Sequence, residues 1–186
     1  MNTSLVSGVK PETTSNIFPF LLVLACAIME PMLINNLMSR LNFENTPMFI
    51  WLSHIIIGLW IIVIWVLLAI IPHLFSLLYD AEGKFKLFLF NVGYGFIPMI
   101  IGIGISYYIM NHHPLPNTTD LVQLKKDPTI KLISMVNMIS MTLTIPWVIY
   151  TIYLFKRLTF VQSLVCVLLP FSILYLLSNL IASLLS

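Results

Sequence analysis

The stretch Asp80–Met110, DAEGKFKLFLFNVGYGFIPMIIGIGISYYIM, runs uncharged from Leu87 onward. At about 1.5 Å per residue that run crosses a hydrocarbon core about 30 Å thick, so it reads as a spanning helix. Four of the seven glycines of the chain lie in this span. On a regular helix, at about 100° per residue, they form two opposed pairs, Gly95 with Gly102 and Gly93 with Gly104. Glycine costs a helix about 1 kcal/mol relative to alanine, but between helices in lipid it lets a neighbouring backbone come close. Two slim sides predict neighbours on both, and hence a helix in the middle of a bundle. Asn91, Pro98 and Ser106 fall within about 40° of the Gly95/Gly102 line, which makes that stripe polar and kinkable as well.

The rest of the chain agrees with a membrane setting. Its 186 residues are 59% hydrophobic and 9% charged, with a mean hydropathy of +0.99, where a soluble domain carries about 25% charged residues. The net charge of +2 excludes nucleic-acid binding by charge and gives no polybasic footprint. Cys26 and Cys166 lie in apolar runs, so each reads as a small buried hydrophobe with no disulfide expected.

The expected architecture is an all-α, polytopic bundle of five transmembrane helices. Residues 1–16 form a short polar tail, retained because the first apolar run lacks a small-residue cleavage site. Residues 17–186 form a single helical membrane domain with spans at about 17–35, 48–72, 86–110, 131–155 and 158–185. HLFSLLYDAEGKFK, from His73 to Lys86, reads as a short interfacial helix, and Asn111–Ile130 as the longest loop. Ser134, Asn137, Ser140 and Thr144 share one broad side of the fourth span, predicted to face protein. An amino terminus in the cytosol places Lys10, Lys84, Lys86, Lys156 and Arg157 inside against Arg40, Lys125, Lys126 and Lys131 outside.

Depth along these spans picks out a candidate intramembrane polar layer: Glu30, His54, Ser106, Asn137 and Asn179, all near one face of the membrane. Ionisable groups inside spans are expensive and pair or line a cavity, which makes Glu30 with His54 the pair to test. The alternative is that such residues, within about 10 Å of an interface, are hydrated or snorkel outward. His112, His113 and Asp120 share a loop but lack metal-ligand spacing; the reading there is a solvated loop, with no metal and no cofactor. Asn2-Thr3-Ser4 and Asn117-Thr118-Thr119 are glycosylation sequons, meaningful only in a eukaryotic secretory pathway. No nucleophile elbow, phosphate-cradling loop or paired catalytic carboxylates occur, so no catalytic residues are assigned and no enzyme is expected.

Gly83-Lys84-Phe85-Lys86 followed by Tyr94 and Pro98, and then Trp147, the Lys156-Arg157 turn and Pro170, together resemble the Yip family, membrane proteins with a five-helix domain named for interaction with Ypt/Rab GTPases. The likeness covers about residues 80–186. Eukaryotic relatives carry a long cytosolic amino-terminal region with an acidic, aromatic motif; only sixteen polar residues precede the first span here. The chain is thus more similar to compact bacterial members in the plasma membrane, some of which accompany ABC-type exporters or peptide-stress defence systems. The resemblance implies a non-enzymatic accessory or assembly subunit whose partners are the lipid bilayer and other transmembrane proteins. Two other readings stand beside it: a small transporter or channel lined by Glu30, His54 and Asn137, and a membrane-trafficking adaptor. The absence of an evident internal repeat counts against the transporter.

Overall fold

A computed structural model describes residues 17–41, 47–81, 83–116 and 120–185, giving only the backbone at 121, 174–175 and 177–185. The expected tail 1–16, both sequons and the side chain of Asn179 lie outside the described residues. Every regular element among the described residues is helical: α1 (Phe18–Arg40), α2 (Pro47–Leu77), α3 (Phe85–Val92), a 3₁₀ turn (Gly93–Phe96), α4 (Ile97–His112), α5 (Leu121–Lys126), α6 (Pro128–Thr142), α7 (Thr144–Lys156) and α8 (Phe160–Leu185).

Among the described residues four segments are long and apolar enough to cross a membrane: α1, α2, the α3–α4 unit Phe85–His112, and the α6–α7 unit Pro128–Lys156. The chain is therefore a helical protein of the kind that sits in a membrane. In α8, which has 26 residues, the described apolar part is the shorter stretch Phe160–Ile173. We call the end of the bundle with the 78–84 and 157–159 turns the lower end, and the end with Arg40 and the 113–127 connection the upper end.

Local chemistry sets the boundaries. Pro19 occupies the first turn of α1, where its missing N–H costs nothing. Asp120 and Asp127 cap α5 and α6: their carboxylates accept from the backbone N–H groups of Val122 (2.9 Å), and of Thr129 and Ile130 (2.9 and 3.0 Å). The separate interfacial helix is not found. Pro72 sits inside α2 without ending it, and His73–Leu77 continue the same helix because no glycine or capping residue intervenes before the turn at 78–80. Likewise α1 runs on past Asn35 to Arg40, which leaves Glu30 as the thirteenth of its 23 residues, deeper than the sequence reading placed it.

Two spans expected to be continuous are interrupted. Gly93 and Gly95 weaken the helix between α3 and α4, and Pro98 has no N–H for the carbonyl of Tyr94. That carbonyl accepts instead from Ile97, three residues on, and the turn winds tighter. Pro146 has the same effect one span later, since it cannot donate to Thr142, and the break between α6 and α7 falls at Leu143.

The third span lies at the centre, in contact with α1, α2, α6 and α7, while α8 packs on α2 and α7. Packing is denser at the lower end, where Val23, Cys26, Trp65, Phe88, Phe96 and Ile152 belong to one buried cluster. A smaller cluster of Leu33, Ile103, Ile109, Met110 and Ile133 holds the upper end. Large apolar side chains cover the outside, among them Trp51, Ile55, Leu59 and Trp60 on α2, as expected of a surface solvated by acyl chains.

Candidate functional site

The two interruptions meet. Thr144, at the start of α7, gives its hydroxyl to the carbonyl of Gly95 (2.9 Å), and a Cβ on Gly95 would lie 3.0 Å from the Thr144 methyl. Around this point the third span is served by donors from three other helices. Trp65 of α2 donates from Nε1 to Leu89 (3.0 Å), Trp147 of α7 from Nε1 to Asn91 (3.0 Å), and Cys26 of α1 from Sγ to Phe96 (3.7 Å). In a medium without water, backbone carbonyls at an irregular turn need partners from the protein itself. Side chains of α1, α2 and α7 thus do for this turn what solvent does for a loop. A groove of about 280 Å³ opens beside it between α3 and α7, walled by Tyr94, Trp147 and Tyr150, whose rings stand 6.1 and 5.6 Å apart in sequence.

Three of the four candidate packing glycines are pressed by neighbours. A Cβ at Gly93 would lie 2.6 Å from the Pro19 carbonyl of α1, Gly95 faces α7, and a Cβ at Gly102 would overlap Ser140 of α6. Gly104 is the exception: nothing lies within 4 Å of where its Cβ would be. The reason is the tight turn. Four residues at about 120° instead of 100° add about 80° of rotation, so Gly104 no longer shares the face of Gly93, whereas Gly95 and Gly102, with less of the turn between them, stay aligned. Pro98 stands in the first turn of α4 and packs no partner helix through a missing side chain; its part is to define the turn.

The expected polar layer separates into two pairs. Ser106 of α4 donates to the Asn137 side-chain oxygen of α6 (3.2 Å). His54 of α2 meets Asn35, with Nδ1 2.8 Å from the Asn35 amide nitrogen, and Ser53 donates to the Asn35 oxygen (3.1 Å). The suggested pairing of His54 with Glu30 is therefore replaced by one with Asn35, which faces α2 while Glu30, 140° away around α1, does not. Among the described residues nothing hydrogen-bonds to the Glu30 carboxyl. On the fourth span Ser140 and Thr144 are buried as expected, but Ser134 is exposed. It lines, with Asn137, Met138, Met141 and Thr142, a second groove of about 510 Å³ whose other wall is Leu37 of α1.

Both ends are tied by cations. At the upper end Arg40 donates to the Met110 carbonyl (2.7 Å), to Asn111 (2.5 Å) and to Asn36 (2.9 Å), satisfying a carbonyl left free at the end of α4. At the lower end Lys156, 1% exposed, donates from Nζ to the Gly83 carbonyl (2.9 Å). Gly83 has φ +102° and a Cβ there would overlap the Phe155 carbonyl, so no side chain fits. Nearby, His73 packs its ring on Phe85 (4.8 Å) and leaves Nδ1 without a partner.

No three His, Cys, Asp or Glu side chains converge among the described residues. Instead His112 places Nδ1 2.9 Å from the Tyr108 carbonyl and stacks on the Tyr108 ring, and Asp120 caps α5. Sequence reasoning missed the roles of Trp65, Trp147 and Cys26. The usable signal was depth: an indole N–H far from the interface needs an acceptor.

No family model matches the chain. One stretch of 52 residues is 44% identical to an uncharacterized protein of Methanocaldococcus jannaschii, covering 26% of this chain and 37% of that protein. The match thus spans little more than a third of the relative's length. No solved structure is similar.

Proposed function

We propose that this protein is a non-enzymatic integral membrane subunit, an accessory or assembly component that holds position beside other transmembrane proteins. The observation that carries the reading is the satisfied turn of the third span. The carbonyls of Leu89, Asn91, Gly95 and Phe96 are each taken by a side chain of the same chain, and the polar pairs Ser106–Asn137 and Asn35–His54 close on themselves. These groups are not left to coordinate a passing solute, and a bundle whose irregular turn is satisfied from within, with an apolar perimeter, suits a scaffold.

In this reading α8, at about 1.5 Å per residue some 39 Å long, is a fifth crossing that returns from the left-handed turn at Arg157. The amino terminus then faces the cytosol, and the membrane is a bacterial plasma membrane. The resemblance to the compact Yip members makes an ABC-type exporter or a peptide-stress defence system the first partner to look for.

A small transporter is the second reading, and one observation favours it: two interrupted spans meet at one depth, as they do around many transporter sites. Purification in mild detergent and reconstitution separate the two. A stoichiometric partner, with no solute flux by the chain alone in vesicles, supports the subunit; flux by the chain alone refutes it.

A further inference from the structure

Glu30 is the one carboxyl in the middle of a span. Twelve residues separate it from Phe18 and ten from Arg40, about 18 and 15 Å along the helix, so neither end of α1 brings the carboxyl to water. Its neighbours fix its direction. Cys26, one turn below, donates to Phe96 of the third span; the Ala27 carbonyl abuts Gly58 of α2. At about 100° per residue Glu30 lies 40° from the first and 60° from the second, between the faces turned to those two helices. Leu37, seven residues on and about 20° away, lines the groove along α6. Glu30 and that groove therefore lie on one face of α1, with Glu30 at the deeper end.

Among the described residues none offers this carboxyl a cation. Arg40 is committed to Asn36, Asn111 and the Met110 carbonyl. His54 is engaged by Asn35 and lies 2.8 Å from the Ile50 carbonyl. The lysines of the described residues stand at helix ends or in connections. An intramembrane carboxyl without a partner is costly and marks a place where a charge or a proton is received. The groove states which of the two is better suited. It follows α6 from Ile130 to Thr142, about 18 Å, the length of a helix segment. Its walls include Met138 and Met141, side chains that adapt to an incoming surface, while Thr142 turns its hydroxyl back onto its own helix and Asn137 is taken by Ser106.

We propose that the groove between α1 and α6 receives a transmembrane helix of a partner protein, and that Glu30 pairs with a lysine or arginine carried near the middle of that helix. This rests on the subunit reading and specifies its partner: an apolar helix of about twenty residues with a single basic side chain at mid-depth.

The test uses the purified full chain in phosphatidylcholine vesicles and two synthetic leucine–alanine transmembrane peptides, one with a central lysine and one with norleucine there, followed by energy transfer. The lysine peptide is expected to bind at least tenfold more tightly. Glu30→Gln removes that preference, Glu30→Asp keeps part of it, and Met138→Trp, which fills the groove, weakens both peptides. Equal binding of the two peptides, or an undiminished preference in Glu30→Gln with unchanged helicity, overturns the proposal. So does labelling of Glu30 by a lipophilic carbodiimide that the lysine peptide fails to suppress, since the site then serves a proton alone. Recovery of a native partner by wild type and Glu30→Gln alike leaves the subunit reading intact and removes this inference. Selective binding of the lysine peptide with no native partner recovered in mild detergent does the reverse.

Discussion

Alanine at Gly93 and alanine at Gly104 should move stability in opposite directions. A Cβ at Gly93 would lie 2.6 Å from the carbonyl oxygen, 2.9 Å from the carbonyl carbon and 3.0 Å from the Cβ of Pro19, where ordinary contact begins at 3.4 Å. Two of those atoms are backbone in the first turn of α1, so no side chain can rotate aside; α1 has to retreat by about 0.8 Å, and overpacking of this kind costs about 1–3 kcal/mol. Helix propensity returns at most about 1 kcal/mol. The net expectation for Gly93→Ala is a loss of up to about 2 kcal/mol, roughly thirtyfold in the unfolding equilibrium. Gly104 has open space around it, so Gly104→Ala should gain about 1 kcal/mol from propensity alone. Unfolding by dodecyl sulfate in mixed micelles, followed by helical circular dichroism, gives both numbers. Shifts of the same sign in the two variants would refute the assignment of faces around the tight turn.

Other outcomes follow from single contacts. Thr144→Val keeps the shape but removes the donor to Gly95 and should cost about 0.6–2 kcal/mol in the same titration, with Thr144→Ser close to wild type. Trp65→Phe leaves the Leu89 carbonyl without its indole donor and should shift the isotope-edited amide I band of Leu89 upward while leaving that of Gly95 in place. Arg40→Met frees the Met110 carbonyl and Asn111, so amide exchange should quicken over residues 108–113 and not at the lower end of α4. Gly83→Ala places a side chain at φ +102° against the Phe155 carbonyl and should destabilise by more than about 1 kcal/mol.

The helical membrane character was legible because it depends on run length and charge alone, and the centrality of the third span because glycine spacing reports close neighbours. What escaped was winding. A wheel at constant pitch put Gly104 opposite Gly95, but Gly93, Gly95 and Pro98 change the pitch locally, and one tight turn moves every later residue around the axis. The same residues that revealed the span thus spoiled its phase. Pairing was less legible still: Glu30 and His54 sit at comparable depths, yet only the direction of α1 decides that Asn35, and not Glu30, meets α2. The depth of Trp65 and Trp147 shows that an indole N–H needs an acceptor but not which carbonyl it serves, and Cys26 looks like an ordinary apolar residue in a span.

The account depends on the third span being enclosed except along one stripe of its upper half, and oxygen accessibility of nitroxides placed singly from Phe88 to Tyr108 in bilayers measures this directly. Collision rates should be low at Phe88, Val92, Phe96, Ile103 and Ser106, all buried, and high at Ile97, Ile101, Ile105 and Tyr108, all exposed. Uniformly high rates along both sets would show a helix surrounded by lipid and would contradict the central placement on which the fold and the proposed role rest.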